Sequence, residues 1–314
     1  MSDRGLTLVE LLIAVALGSV LCLAGATLLI NSKRVYLQDE QLARLQESGH
    51  YALRMLSREL SMAGYFGESL PRDIATALPE GTECYQHLVQ LNGVLEHYDN
   101  LSSAGVSAGE IAMPEDCARP GDHRTGADAL LVRRTMDLPA MYRGEQRVSM
   151  ADDRLYLRID QSGSALERGT AGLADDGSLW RFHPQLFFLR NYSRIRGDGI
   201  PSLCRIRLSP GAPRTAPVEC LVEGVEQMQI EFGIDSNGDR KADRYVSTLS
   251  PRDVAHAVVA HIQILVRSPL PLPGHRDNNS YTLGNTSFGP IRDGFFRRVL
   301  ETSVMLRNSD VHRS

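Results

Sequence analysis

The sequence predicts an α+β protein, in which a long N-terminal α-helix packs on a body built around an antiparallel β-sheet. Two observations lead to this prediction. An apolar stretch near the N-terminus continues without proline into a stretch of helical periodicity. After Gly67 the chain changes to short apolar or alternating runs separated by turn residues, which is typical of strands.

The apolar stretch runs from Leu6 to Ile30, and Glu10 is its only charged residue. A helix of this length spans roughly 37 Å, enough to cross a hydrocarbon core of about 30 Å. The stretch is longer than the apolar part of a secretory signal, and no A-x-A cleavage site follows it. It is therefore predicted to be a transmembrane half-helix, within which an acidic side chain normally needs a partner.

The second half of the helix is predicted over residues 31–64. Apolar residues recur there in steps of three, four and seven, which marks one face of an amphipathic helix: Leu42, Leu45, Ala52, Leu53, Leu56, Leu60 and Ala63. The helix is expected to end near Gly64, and Gly49 weakens its middle by about 1 kcal/mol. Because no flexible linker separates the halves, we expect one rod of roughly 85 Å.

The body is predicted to contain seven strands: 129–133, 155–159, 185–189, 203–208, 228–232, 261–267 and 295–307. Ser250 and Pro251 suit the first positions of a short helix. Residues 268–294 are expected to form a surface loop. The chain is long enough for one large domain or two small ones beside a membrane segment, and its 42% hydrophobic and 23% charged residues indicate a globular fold.

The net charge of -4 gives no electrostatic indication of nucleic-acid binding. We therefore interpret the arginine pairs 133–134 and 297–298 as solvated strand faces. No Walker loop, nucleophile elbow, dinucleotide fingerprint or H-E-x-x-H motif is present. We accordingly expect no enzyme activity, and His183, His256 and His261 are expected to be surface or core residues.

Five cysteines are present, and Cys22 lies in the apolar stretch, where it can pack as a small hydrophobic residue. If the body lies outside the cytoplasm, the other four predict two disulfides. Three connectivities are possible, and the simplest joins sequence neighbours, Cys84 with Cys117 and Cys204 with Cys220.

One polar loop has the oxygen spacing of calcium loops of the EF-hand type. Side-chain oxygens occur at relative positions 1, 3, 5 and 9, and position 7 offers a backbone carbonyl: Asp235, Asn237, Asp239, Asp243 and Lys241. Arg240 and Val246 depart from the pattern, because Gly and a bidentate Glu usually occupy these positions. The alternative is a polar hairpin turn with Asn237–Gly238 at its tip.

Residues 4–12, RGLTLVELL, resemble the type III signal of prepilins. The resemblance implies that a prepilin peptidase cleaves between Gly5 and Leu6 and that the new N-terminus at Leu6 is methylated. It also implies a leader of residues 1–5, a filament-core half of the helix over 6–30 and an extracytoplasmic pilin-like domain over 65–314. Glu10 of one subunit would then neutralise the freed amine of a neighbour, since an unpaired buried charge is costly.

Residues 42–67 and the last strands resemble PilW-type minor pilins of type IV pilus assembly, which carry a similar acidic loop followed by Asp-Arg-Tyr, here residues 243–245. The resemblance implies a minor pilin that primes assembly at the filament tip and supports adhesion, twitching motility or DNA uptake. It implies as partners other minor pilins, the major pilin, a tip adhesin, the prepilin peptidase and the inner-membrane assembly platform. It also favours Ca²⁺ as the ligand of the polar loop.

The charges that flank the apolar stretch leave its orientation open, whereas the cysteines and the resemblance place the body in the periplasm and later at the pilus tip. Two alternatives remain open. One is a J-type minor pseudopilin of a type II secretion system, which shares the anchor and the kind of body. The other, more distant, is a membrane-tethered enzyme or sensor.

Overall fold

A computed structural model describes residues 7–69, 73–76, 78, 80–91, 93–105, 112–119, 121–169 and 177–308. The first element is helix α1, Leu8–Ser61, which covers both predicted halves without interruption. Thr7 caps its N-terminus, and Met62 is the C-cap. The chain then turns at Gly64, whose φ of +78° favours glycine and whose N–H donates to the carbonyl of Arg133. The helix therefore ends close to the predicted position.

The predicted apolar face of α1 is buried from Leu45 onward, and Leu42 is half-buried. This face packs against β14 (Ala257–Arg267) and β17 (Arg297–Met305), and it also contacts β11 (Glu219–Glu223). Helix and sheet approach closely at Gly49, where a Cβ atom would lie 2.3 Å from Cδ1 of Leu300. Gly49 thus has a packing role that helix propensity alone does not indicate.

Among the described residues, the body forms three larger sheets and a two-stranded hairpin rather than the single predicted sheet. The first has the order β1-β7-β6-β8-β4-β5 and comprises β1 (Ile74–Thr76), β4 (Met141–Tyr142), β5 (Glu145–Gln146), β6 (Leu155–Asp160), β7 (Gly163–Arg168) and β8 (Ser178–Arg181). The second has the order β11-β10-β9-β3-β2 and adds to β11 the strands β2 (Leu95–Tyr98), β3 (Ala129–Val132), β9 (Gln185–Arg190) and β10 (Ser202–Arg207).

The third sheet has the order β13-β12-β14-β17 and adds β12 (Val225–Ile234) and β13 (Arg244–Val246). Strands β15 (Tyr281–Leu283) and β16 (Thr286–Phe288) form a separate hairpin. Among the strand pairs of the described residues, β1 with β7 is parallel and the others are antiparallel. The α+β prediction is therefore confirmed.

The second sheet is buried on both faces, because its alternate side chains enter different parts of the core. Phe187 and Leu189 of β9 join the large cluster that includes the buried face of α1. Phe188 and its neighbours instead pack under helix α2 (Glu83–Val89) in a second cluster. Both disulfides lie at this second cluster, and they join Cys84 to Cys117 and Cys204 to Cys220. Cys22 is free and exposed.

All seven predicted strands are present, with ends that differ by a few residues. The helix predicted at Ser250 is wrong: the segment is a turn in which Ser250 and Asp253 bond each other, followed by a single 3-10 turn, Val254–His256. The loop prediction for 268–294 is also wrong in part, because the β15–β16 hairpin lies within it. Strands of two to four residues carry too little pattern to be identified from sequence.

Candidate assembly site

The N-terminal end of α1 is organised by a capping box between Thr7 and Glu10. The backbone N–H and the hydroxyl of Thr7 each donate to Oε2 of Glu10 at 2.9 Å, and the N–H of Glu10 donates to Thr7 Oγ1 at 3.3 Å. Each group thereby satisfies donors that a helix terminus otherwise leaves free. The carboxylate of Glu10 is thus held one turn from the helix start, where the helix dipole favours a negative charge.

Gly5 and Leu6, predicted to flank the cleaved bond, lie outside the described residues. The pairing of Glu10 with an amine at Leu6 of a neighbouring subunit therefore stays a prediction. The contacts with Thr7 show that the Glu10 side chain reaches back toward the start of its own helix.

The apolar half of α1 has no protein partner within the described chain. Its most apolar 18-residue window has a mean hydropathy of 2.4, and none of that window is buried. Large apolar side chains are exposed on every face here; Leu8, Leu17 and Leu29, for example, are 75, 61 and 73% exposed. An apolar surface of this extent requires lipid or other apolar helices around it.

Arg134 and Glu59 fix the other half of α1 to the body. Nε and Nη2 of Arg134 donate to the two carboxylate oxygens of Glu59 at 2.7 and 2.8 Å. The two side chains are only 5 and 9% exposed. Such a two-point, buried contact holds the last turns of the helix at one place on the body.

The interpretation of the arginine pairs as solvated faces is wrong for three of the four residues. Arg133, Arg134 and Arg297 are buried, whereas Arg298 is exposed. Each buried guanidinium meets at least one carboxylate that is distant in sequence, and for this reason local sequence does not identify the pairs. Arg297, for instance, lies at the start of β17 and contacts the distant Glu226 and Asp277 as well as the nearby Asp293.

Arg133 forms a second buried group with residues of α2 and β2. Its Nη1 donates to Glu96 Oε1 at 2.6 Å, and the other oxygen of Glu96 lies 2.8 Å from His87 Nε2. Burial by itself would raise the pKa of Glu96, but the hydrogen bond from His87 and the charge of Arg133 lower this pKa to about 2. The group thus ties α2 to the second sheet.

In the loop predicted to bind calcium, side-chain oxygens accept hydrogen bonds from N–H groups of the same loop. The buried carboxylate of Asp235 accepts N–H groups of Asn237, Gly238 and Arg240 at 3.0, 2.6 and 3.0 Å. Two further turns of the same kind follow, from Asp239 N to Asn237 Oδ1 and from Lys241 N to Asp239 Oδ1, both 2.8 Å. These contacts agree with the alternative of a polar turn between β12 and β13.

The three aspartates of this loop do not converge on one point. Among the described residues, a single group of three His, Cys, Asp or Glu side chains places its ligand atoms within 4.8 Å of one another, and it consists of Cys84, Asp116 and Cys117. Its two cysteines form a disulfide and cannot act as thiolate ligands. The carboxylate oxygens of Asp235, Asp239 and Asp243 thus do not all lie within 4.8 Å of one another in the described structure.

A signal at the N-terminus, a long helix with an unpartnered apolar half and a disulfide-bonded β body together define a prepilin-type protein. Residues 1–26 match the family model described as the prokaryotic N-terminal methylation motif. The comparison thus supports the type III signal identified from residues 4–12.

A second match, which lies in the body, concerns the protein family. Residues 187–308, from within β9 to just past β17, match the model of Type IV Pilus-assembly protein W. Together the two matches support a type IV pilus-related pilin, in agreement with the resemblance of the signal and of the last strands. Residues 27–186, which include the part of the resemblance over 42–67, lie outside both matches. Neither the comparison with curated proteins nor that with solved structures gives a match.

Proposed function

We propose that this chain is a minor pilin that primes type IV pilus assembly at the filament tip. The observation that carries the proposal is the division of a single helix into two surfaces. Residues 8–30 expose apolar side chains on all sides, while residues 45–60 are fixed in the body. A subunit built in this way can insert its free half among the helices of other subunits without any change in its body.

Glu10 gives the free half a defined position along its neighbours. In an apolar filament core, an unpaired carboxylate is costly and a carboxylate paired with an amine is far less so. Pairing with the amine of a methylated Leu6, created by the prepilin peptidase after Gly5, would set the register between subunits. The expected partners are other minor pilins, the major pilin and a tip adhesin, delivered through the inner-membrane assembly platform.

The two disulfides and the prepilin signal support a periplasmic position for the body before assembly and a surface position at the tip afterward. The PilW match favours a type IV pilus over a J-type pseudopilus of type II secretion. Adhesion, twitching motility and DNA uptake are the activities that such a tip complex would support. The proposed role is structural and involves no catalysis.

The proposal is tested with two substitutions in the native host. Gly5→Ala is expected to block maturation, so that the mass of the purified chain retains residues 1–5. Glu10→Ala is expected to leave processing and membrane insertion intact but to reduce piliation sharply. Glu40→Ala is the matched control, because Glu40 lies on the same helix and pairs with the exposed Arg44. Normal piliation with Glu10→Ala would contradict the role given to Glu10.

We also propose, separately, that the loop over residues 235–243 binds Ca²⁺ weakly. Four oxygen-bearing side chains and the carbonyl of Lys241 are the donors that a hard cation takes. Because the aspartates do not converge in the described conformation, binding would require the loop to rearrange, and the expected affinity is in the millimolar range of extracellular modules.

A further inference from the structure

A pocket at the junction of the first and second sheets is lined by basic residues. Its volume is about 50 Å³, and roughly 10–15 Å³ suffices for one water molecule, so a small ion fits. The lining includes four arginines, a histidine and a tyrosine: Arg154, Arg168, Arg181, Arg207, His183 and Tyr85. No acidic side chain is among the described residues that line it. The function proposed above makes no use of this pocket.

The fold brings these arginines together from strand ends. Arg168 and Arg181 are the last residues of β7 and β8, and Arg154 precedes β6, which lies between those two strands in the sheet. Arg207 ends β10 of the second sheet. Positions from four separate places in the sequence thus meet at one opening, and no local motif indicates the pocket.

The carboxylates near the pocket leave positive charge uncompensated. Glu219 is shared between Arg205 and Arg207, and Asp153 lies 3.9 Å from Arg154. Arg168 donates to the backbone carbonyl of Asp153 rather than to a carboxylate.

Arg181 has neither an ion pair nor a side-chain hydrogen bond within the described chain, although it is partly buried. Burial and the charges of Arg154 and Arg207 lower its pKa. An arginine at such a position without a counter-ion is costly unless an anion accompanies it.

Two neutral groups in the lining also lack partners. The hydroxyl of Tyr85 is buried without a hydrogen-bond partner among the described residues, and Tyr85 itself is 0% exposed. The imidazole of His183 makes no side-chain hydrogen bond with the described residues, and burial together with the charge of Arg134 lowers its pKa to about 3. The pocket therefore offers guanidinium donors, a neutral imidazole and an unsatisfied phenol.

We propose that this pocket binds a doubly charged oxyanion, phosphate or sulfate. Guanidinium groups present planar pairs of N–H donors that match the oxygens of such anions. The small volume suits the free ion or the terminal group of a monoester. The anion would neutralise Arg168 and Arg181, which have no ion pair within the described chain, and this site is independent of the assembly role of α1.

The test uses the full chain in a non-ionic detergent and a phosphate-free buffer. Sodium phosphate and sodium sulfate are titrated by calorimetry and by thermal unfolding, against sodium chloride at equal ionic strength. We expect saturable binding and a rise in the midpoint of unfolding with both oxyanions. A response equal to that in chloride would overturn the proposal.

Arg181→Gln is the diagnostic variant, and Arg298→Gln removes an exposed arginine outside the pocket as its control. We expect Arg181→Gln to bind phosphate at least about tenfold more weakly than the wild type, and the control to bind it with unchanged affinity. In chloride the midpoint of Arg181→Gln should equal or exceed that of the wild type, because one of several like charges is removed. Unchanged phosphate affinity in Arg181→Gln, or an equal loss of phosphate affinity in Arg298→Gln, would contradict the assignment of the pocket.

Glycerol 3-phosphate distinguishes the two sources of the ligand. Affinity equal to that of inorganic phosphate assigns the pocket to a phosphate group carried on a larger molecule. Binding of the inorganic ions without the ester assigns it to the free ion. Binding of none of these anions contradicts the site altogether.

Discussion

Substituting Glu59 by glutamine leaves Arg134 buried with no countercharge, at the point where the helix is fixed to the body. The two hydrogen bonds between these side chains are 2.7 and 2.8 Å long, and both groups are almost fully shielded from water. Removal of one partner from a buried ion pair costs about 3–5 kcal/mol, because the remaining charge stays desolvated. For a body of this size, that corresponds to a decrease in Tm of roughly 6–20 °C.

The assay follows the fluorescence of Trp180, the single tryptophan of the chain, which is buried in the body. The full chain is heated in a non-ionic detergent, so that the apolar half of α1 stays covered. The matched control is Arg58→Ala on the same turn of the helix. Arg58 and Asp137 form an exposed pair at 3.6 Å, and its loss should cost no more than about 1 kcal/mol.

A double variant separates the charge from the contact. Glu59→Leu with Arg134→Leu removes both ionic groups and should recover most of the lost stability, since apolar replacement of a buried pair is often neutral. The reasoning is refuted if Glu59→Gln unfolds within a degree or two of Arg58→Ala. It is equally refuted if the double variant is less stable than the single one.

Three further outcomes are expected. Gly49→Leu should lower the Tm although leucine favours helices, because its side chain would collide with Leu300; a higher Tm would show that the close contact is not limiting. The pKa of Glu96 is about 2 in the fold against about 4.5 otherwise, so its contribution is present above pH 4.5 and disappears as the pH falls toward 2. Chemical unfolding should therefore show on the order of 3 kcal/mol of acid-dependent stability that Glu96→Gln lacks, and equal acid sensitivity would contradict this. Asp239→Asn with Asp243→Asn should abolish a calcium-dependent rise in Tm; if calcium leaves the wild-type Tm unchanged, the loop is a turn.

The helix, its buried face and the seven main strands could be predicted, because the repeat of apolar residues within each segment is visible in the sequence of that segment alone. Leu45, Leu53 and Leu60 repeat with the helix, and β12 alternates over most of its length. The capping role of Glu10 was not predicted, although the Thr7-x-x-Glu10 spacing is a recognised signature. Glu10 thus caps α1 and also places a charge in the apolar half of the helix.

The buried arginines and the basic pocket could not be predicted, because their partners come from distant parts of the chain. Arg134 meets Glu59 across 75 positions, and Arg297 meets Glu226 across 71. The division of the body into three sheets was missed for the same reason. Strand pairing of this kind depends on contacts between segments, and the short edge strands that complete the first sheet have no pattern of their own.

Helix α1 has no break between its exposed and its buried half. The rotation of the body about the helix axis therefore depends on the number of residues in the helix. Each residue added between positions 31 and 38 would turn the body by about 100° and advance it by about 1.5 Å. Seven added residues would return the body to within about 20° of its original orientation about the helix axis. The body would then lie about 10 Å farther along that axis. The number of residues in this part of α1 therefore determines which side of the body faces away from the other subunits.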